Sequence, residues 1–578
     1  MVLESHFRGP NSLQPVIEGG LEQLAQQNAA QRIWNGDASF WKSESQAQAA
    51  IRERLGWLTV ANLMQQKRDE IIDFVNGVRQ AGYQSAVLLG MGGSSLCPEV
   101  LRLTFGSAPG YLKLFVLDTT DPDTILSVER QIDLNTTLFI VASKSGKTLE
   151  TLSQFKYFYD KVSRLVGANA GERFIAITDP GTPLEQLARD HHFRHIFSNP
   201  PDIGGRYSAL SYFGLVPGAL IGVDIEKLLS RAQEMMQECG ADHPAQDNPG
   251  LWPGAALATL ATQQGRNKIT FALSPGIASF GLWVEQLIAE STGKEGRGLV
   301  PIASEQLGRP QDYGNDRVFV YLRLYGSQNS QLNDAIETLV AAGQPEISYD
   351  LRDDYDLGAQ FFLWEFAVAT AGHILNINPF NEPNVQESKE NTNNILAQYE
   401  KQGKLPEPQP VFQQGTITIY GPANGARSLT DYLHTFLGQV QPGDYIAIMA
   451  YVQQNPETEG ALEDLRIRLR DLYKVATTVG YGPRFLHSTG QLHKGGANNG
   501  VFIQITGQDR HDMAIPGEPY TFGILKAAQA LGDFYSLEHH QRRVISIHIA
   551  GNLGQGLYTI ERAVSWGEES AGLTRVIQ

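Results

Sequence analysis

The sequence predicts an α/β protein assembled from repeated units, each a mostly parallel, doubly wound sheet with helices on both faces. Three observations predict it. Short β-rich runs alternate with helix-length segments from residue 84 onward. Two of those runs, 85–89 and 137–142, end in Gly/Ser-rich loops that lead straight into helical spacing. The pattern of the middle of the chain also returns after a proline-rich stretch. Such alternation is the grammar of βαβ crossovers, which gather ligands at the carboxyl ends of the strands.

Taken in order, residues 12–79 carry Leu21, Leu24, Ile33, Trp34, Ile51, Leu55, Ile71 and Phe74 on amphipathic helical faces, predicting a helical amino-terminal segment over 1–80. A first α/β unit over 81–250 has β-rich runs at 86–89, 113–117, 138–142 and 174–178. A second, over 251–400, begins at 267–272 and runs through 317–322 to 374–377. Lys404-Leu405-Pro406-Glu407-Pro408-Gln409-Pro410 reads as an extended linker, followed by a third unit over 401–578. In that unit 415–420 parallels 268–272, 499–504 parallels 316–321, and Tyr520-Thr521-Phe522-Gly523 parallels Tyr355-Asp356-Leu357-Gly358, an internal repeat.

Composition narrows the function. A chain of 578 residues exceeds one core and suggests about three to four domains. Its net charge of −16 argues against a nucleic-acid partner, which clustered Lys and Arg would bind. No apolar stretch approaches the roughly 20 residues of a membrane span, and Met1–Asn11 lacks the basic and apolar regions of a secretion signal, so a cytoplasmic location is expected. Two cysteines and no Cys/His cluster predict neither a disulfide framework nor a metal site.

The loops Gly90-Met91-Gly92-Gly93-Ser94-Ser95 and Ser143-Lys144-Ser145-Gly146-Lys147-Thr148 pair close backbone approach with hydroxyl donors at a helix start, a cradle for a phosphate. Alone, Gly92 and Gly93 would read as a tight turn and Ser143 and Thr148 as helix caps. Asp202-Ile203-Gly204-Gly205-Arg206-Tyr207-Ser208 frees a guanidinium for a phosphate or a developing oxyanion. Glu290-Ser291-Thr292-Gly293-Lys294 closes a helix and leads to Glu305 in a loop after a strand, a suitable place for a general base, with Glu290 in reserve. Asn378-Pro379-Phe380-Asn381-Glu382-Pro383 then opens a helix that carries Lys389.

In this order these segments resemble the glucose-6-phosphate isomerase family, whose two sugar-isomerase (SIS) domains carry a Gly-Gly-Ser loop, an SK(S/T)xxT loop, a GGRYS motif, an ES.GK segment and an NPF.xPxVxxxK segment. The resemblance spans roughly residues 82–392. Beyond the linker the chain looks like the carboxyl-terminal extension of the isomerase half of fused transaldolase and phosphoglucose isomerase proteins. It implies two SIS-like domains and a third SIS-like unit, a phosphosugar substrate, no cofactor, and a homodimer as commonly found in the family.

Carried over by residue, the resemblance implies that Ser94, Ser143, Lys144, Ser145 and Thr148 bind substrate with Gly92 and Gly93 permitting its approach. It further implies that Arg206 stabilises an enediolate, that Glu305 shuttles a proton between C2 and C1, and that Lys389 lies beside the sugar's ring oxygen or O1. Glu382, which the resemblance places at the substrate, stands where the family commonly has glutamine. The family's ring-opening histidine is missing near the start of the helix that corresponds to 354–368; His373 ranks first as its replacement, with His487 and His493 close behind. The expected activity is interconversion of glucose 6-phosphate and fructose 6-phosphate. The alternatives are a non-catalytic sugar-phosphate sensor and an isomerase of another phosphosugar such as mannose 6-phosphate.

Overall fold

A computed structural model describes residues 5–565. The chain enters as a short strand, β1 (Ser5–Arg8), before the amino-terminal helices begin. The segment expected to be helical throughout therefore supplies a strand too, since four residues are too few to show a period of their own.

The first sheet contains β2 (Ser85–Gly90), β3 (Lys113–Leu117), β4 (Thr137–Ala142), β5 (Phe174–Thr178) and β6 (His195–Ser198), all parallel in the order β3-β2-β4-β5-β6. Helices cover both faces, so β4, Thr-Leu-Phe-Ile-Val-Ala, is buried at every position. The second sheet contains β7 (Lys268–Leu273), β8 (Val300–Ile302), β9 (Arg317–Leu324) and β10 (Glu346–Leu351). Its order is β1-β10-β9-β7-β8, with β1 as an antiparallel edge.

The third sheet contains β11 (Phe412–Gln414), β12 (Ile417–Tyr420), β13 (Tyr445–Tyr451), β14 (Ala476–Tyr481), β15 (Gly500–Gly507) and β16 (Arg543–Ile549) in the order β11-β12-β16-β15-β13-β14. Without β11, this is the topology of the second sheet: an antiparallel edge strand, then β16 for β10, β15 for β9, β13 for β7 and β14 for β8. The sequence match of 499–504 with 316–321 agrees with this equivalence. The other two matches shift. The counterpart of β7 is β13 rather than residues 415–420, and Tyr520–Gly523 opens the helix after β15, whereas Tyr355–Gly358 opens the helix after β10. Apolar runs of similar length are interchangeable in sequence, and only their neighbours in the sheet tell them apart.

Packing joins the units. One core runs from the amino-terminal helices through the first and second sheets and includes the fully buried Trp57, Trp283 and Trp364. A second joins the other face of the first sheet, Val87, Phe139 and Phe174, to Phe522, Leu525 and Ala528 of the third unit. At about 1.5–3 kcal/mol for each large apolar side chain withdrawn from water, this is a firm seat for the third unit. Among the described residues no helix is long and apolar enough to cross a membrane.

Candidate active site

Because β2 and β4 are neighbours with Gly90 opposite Ala142, the loops that follow them start side by side. The first makes a tight turn over Gly92–Ser94 with Gly92 at φ +54°. A Cβ on Gly92 would lie 2.6 Å from the carbonyl oxygen of His487, and one on Gly93 2.0 Å from that of Gly205. These glycines are thus required by the approach of two other backbone segments, a reason distinct from access for a phosphate. In the second loop the Ser143 and Thr148 hydroxyls are 2.8 Å apart, and the Gly146 N–H donates to Ser143 Oγ at 3.1 Å. Thr148 ends the loop at the start of the Leu149–Val166 helix without capping it through its side chain, so the positive end of that helix faces the loop. Lys144 turns aside, donating to Asp179 and, at 2.9 Å, to the Pro201 carbonyl, while Ser145 and Lys147 are exposed. Ser94 is buried in its turn.

Arg206 is buried where these loops meet the NPF segment. Its Nε donates to Ser291 Oγ at 2.7 Å, and its Nη2 to the carbonyls of Pro379 (2.7 Å) and Asn381 (3.0 Å). Its Nη1 faces two carboxylates, Glu382 at 3.0 Å and Glu290 at 3.2 Å. Burial would lower the Arg206 pKa, but the two glutamates outweigh it and hold the group above its ordinary value. Glu290 moves up: burial and the nearby Glu382 charge exceed the pull of Arg206. Glu382 moves down, because Arg206, reinforced by Lys294, exceeds the cost of its burial. Burial, with Arg206 alongside, also pushes Lys294 well below the usual ammonium range; its Nζ donates to Asn381. One guanidinium therefore serves two carboxylates, and Glu290 keeps the higher proton affinity.

The third unit closes the site. Gln286, one helical turn before Glu290, donates from Nε2 both to Glu290 (2.9 Å) and to the carbonyl of His487 (2.8 Å). The His487 Nε2 lies 2.8 Å from Glu150 Oε1 in the first turn after the Ser143–Thr148 loop, and Gln529 donates to the same oxygen at 2.7 Å. Burial would raise the Glu150 pKa, but His487, with Lys389 beyond it, holds the carboxyl below its ordinary value. Arg484, in the turn that carries His487, makes a two-pronged pair with Asp118 at 2.7 and 2.8 Å just beyond β3, which anchors the turn to the first unit. A cavity of about 160 Å³ lies here, lined in part by Lys147, Glu150, Lys389, His487 and Gln529.

Two residues expected in the site lie elsewhere. Glu305 is buried with Arg317 at 3.4 Å and Arg470 at 3.5 Å, at a cleft of about 1010 Å³ between the second and third units. Burial would raise its pKa, but Arg317, Arg466 and Arg470 outweigh it and hold the carboxyl low. None of its partners is shared with Arg206. His373 stacks on Phe40 at 3.8 Å between ring centres, with Nδ1 2.5 Å from the Phe40 carbonyl oxygen, and so belongs to the packing of the amino-terminal segment. His493 is buried against Phe485 and Phe502. Sequence reasoning missed Glu150, Gln286 and Gln529. Only Gln286 left a signal, its four-residue spacing from Glu290 on one helix face.

Residues 59–305 match the family model described as phosphoglucose isomerase. A glucose-6-phosphate isomerase of Methanocaldococcus jannaschii is 28% identical over 341 residues, covering 53% of this chain and 83% of that protein. A probable glucose-6-phosphate isomerase of Haloquadratum walsbyi is 30% identical over 346 residues, covering 54% of this chain and 79% of that protein. The chain belongs to the phosphoglucose isomerase family. In fold, too, it resembles a glucose-6-phosphate isomerase of Chlamydia trachomatis, with a TM-score of 0.54 at 20% identity over 69% of this chain and 90% of that one. A hypothetical protein of Thermus thermophilus gives 0.57 at 24% identity over 68% and 100%. The phosphoglucose isomerase model ends at Glu305, so it takes in both glycine-bearing loops, Arg206 and Glu290, while the turn of His487 lies beyond it.

Proposed function

We propose that this chain is a glucose-6-phosphate isomerase that interconverts glucose 6-phosphate and fructose 6-phosphate, with Glu290 as its base. The observation that carries the reading is the placement of Glu290: one oxygen against the Arg206 guanidinium it shares with Glu382, the other tied through Gln286 to the turn of His487. Aldose–ketose interconversion moves a weakly acidic proton between adjacent carbons, so it needs a base that can hold a proton and give it back, next to fixed positive charge. A raised Glu290 beside a permanently charged Arg206 meets both needs.

In this reading the phosphate rests on the Ser143–Thr148 loop and the helix start behind it, and its binding energy aligns the carbons that react. His487, with Lys389 beside the same cavity, gives a proton to the ring oxygen as the ring opens. Glu290 takes the C2 proton, Arg206 stabilises the resulting enediolate, and Glu290 returns the proton to C1. Glu305 is then a structural anion at the boundary between units.

Fructose 6-phosphate turnover coupled to a glucose-6-phosphate dehydrogenase tests the reading. The protein should turn over, and E290Q should lose about 10²–10⁴ in kcat with little change in KM. Full retention of rate by E290Q would remove Glu290 from the role. Sugar-phosphate binding without turnover by the unaltered protein would make it a sensor.

A further inference from the structure

The third unit has a cavity of its own, about 250 Å³, between its sheet and the Phe522–His539 helix. It opens at the carboxyl ends of β13, β15 and β16. The chain leaves β13 for β14 on one side and returns to β15 on the other, the kind of crevice in which α/β sheets hold ligands. Tyr451, the last residue of β13, lines this cavity; it is 1% exposed, and its hydroxyl has no hydrogen-bond partner among the described residues. A buried hydroxyl left unpaired calls for a partner the protein does not itself supply.

The lining points to the class of that partner. Thr506 Oγ1 and His548 Nδ1 are 2.9 Å apart, and Ser546 donates to Gln504 at 2.8 Å. Lys526, 4% exposed, divides its ammonium between Asp509 and, at 2.7 Å, Asp121 of the first unit. One cation against two carboxylates leaves no surplus positive charge for a phosphate. Hydroxyls of both hydrogen-bonding senses, with the rings of Tyr420 and Phe534 alongside, suit a neutral ring that bears several hydroxyls. We propose that this cavity binds an unphosphorylated polyhydroxy compound of monosaccharide size, held by Tyr451, Thr506 and the Lys526–Asp509 pair. The cavity adjoins the one beside His487 but shares no lining residue with it.

Saturation-transfer NMR on the full chain with glucose and with myo-inositol as probes tests this. At least one probe should show transfer that persists under excess fructose 6-phosphate. Y451F, which breaks no hydrogen bond within the protein, should weaken binding about fivefold without lowering the melting temperature. Ala530→Leu, which fills the cavity, should abolish transfer and leave isomerisation unchanged. The proposal is overturned if neither probe binds, if fructose 6-phosphate displaces the probe, or if both variants bind it as the unaltered protein does.

Discussion

Glu290 and Glu305 are both buried, both face arginine and both lie in the second unit, yet their surroundings act on them in opposite directions. Glu290 shares one guanidinium with a second carboxylate and is pushed up; Glu305 meets Arg317, Arg466 and Arg470 together and is held down. The lesson concerns the ratio of cations to carboxylates. A glutamate outnumbered by arginines has its charge fixed and serves the structure. One that competes for a single arginine keeps an affinity for protons and can exchange them.

The widest contrast between the two should come from their amides. E290Q should remove most of the turnover, as described above, and leave the melting temperature near that of the unaltered protein. E305Q should do the reverse: kcat per folded molecule stays within a few-fold, while stability falls by about 3–5 kcal/mol, the cost of stranding buried charge. Urea unfolding beside the coupled assay separates these outcomes, and a collapse of kcat in E305Q without loss of stability would break the comparison.

The pH dependence of stability sharpens it. The Glu305 pKa lies below its unfolded value, so this carboxylate contributes stability above the ordinary carboxylate range and loses it as pH falls through the folded pKa. Urea midpoints measured from neutral to acidic pH should therefore fall less steeply in E305Q than in the unaltered protein. E382Q tests the sharing of Arg206 directly. Without the second negative charge the Glu290 pKa should drop, moving the acid limb of the kcat/KM profile to lower pH; an unmoved limb would mean that Glu382 does not tune the base. The smallest effect is expected at the phosphate end. S143A and T148A should each raise KM by about fivefold, the worth of one hydrogen bond, and leave the acid limb where it was.

What the sequence made legible follows from how local each feature is. The Gly92-Gly93-Ser94 and Ser143–Thr148 loops are contiguous and adjoin their strands, so their nature could be read directly. The choice between Glu290 and Glu305 could not: nothing near Glu305 announces that Arg466 and Arg470 arrive from the third unit to neutralise it. The placement of the histidines was hidden for the same reason: His373 packs on Phe40, and His487 reaches Glu150 with its turn held by the pairing of Arg484 with Asp118, 366 positions apart. The repeat was visible in β9 and β15, whose runs match, but β13 was passed over for β12, whose antiparallel place between β11 and β16 is a property of the sheet. Strand β1 escaped because its partner β10 lies more than three hundred residues away.

The clasp that His487 makes over the two glycine-bearing loops has a consequence for how the molecule is made. On the ribosome, the first unit can take shape long before residue 487 has been added, and domains generally acquire structure in the order they emerge. Until the Arg484–His487 turn arrives, the pocket lacks its imidazole and the wall against which Gly92 packs. If His487 has the role proposed for it, messages cut short anywhere upstream of that turn would yield chains that look well formed through their first sheet and lack isomerase activity.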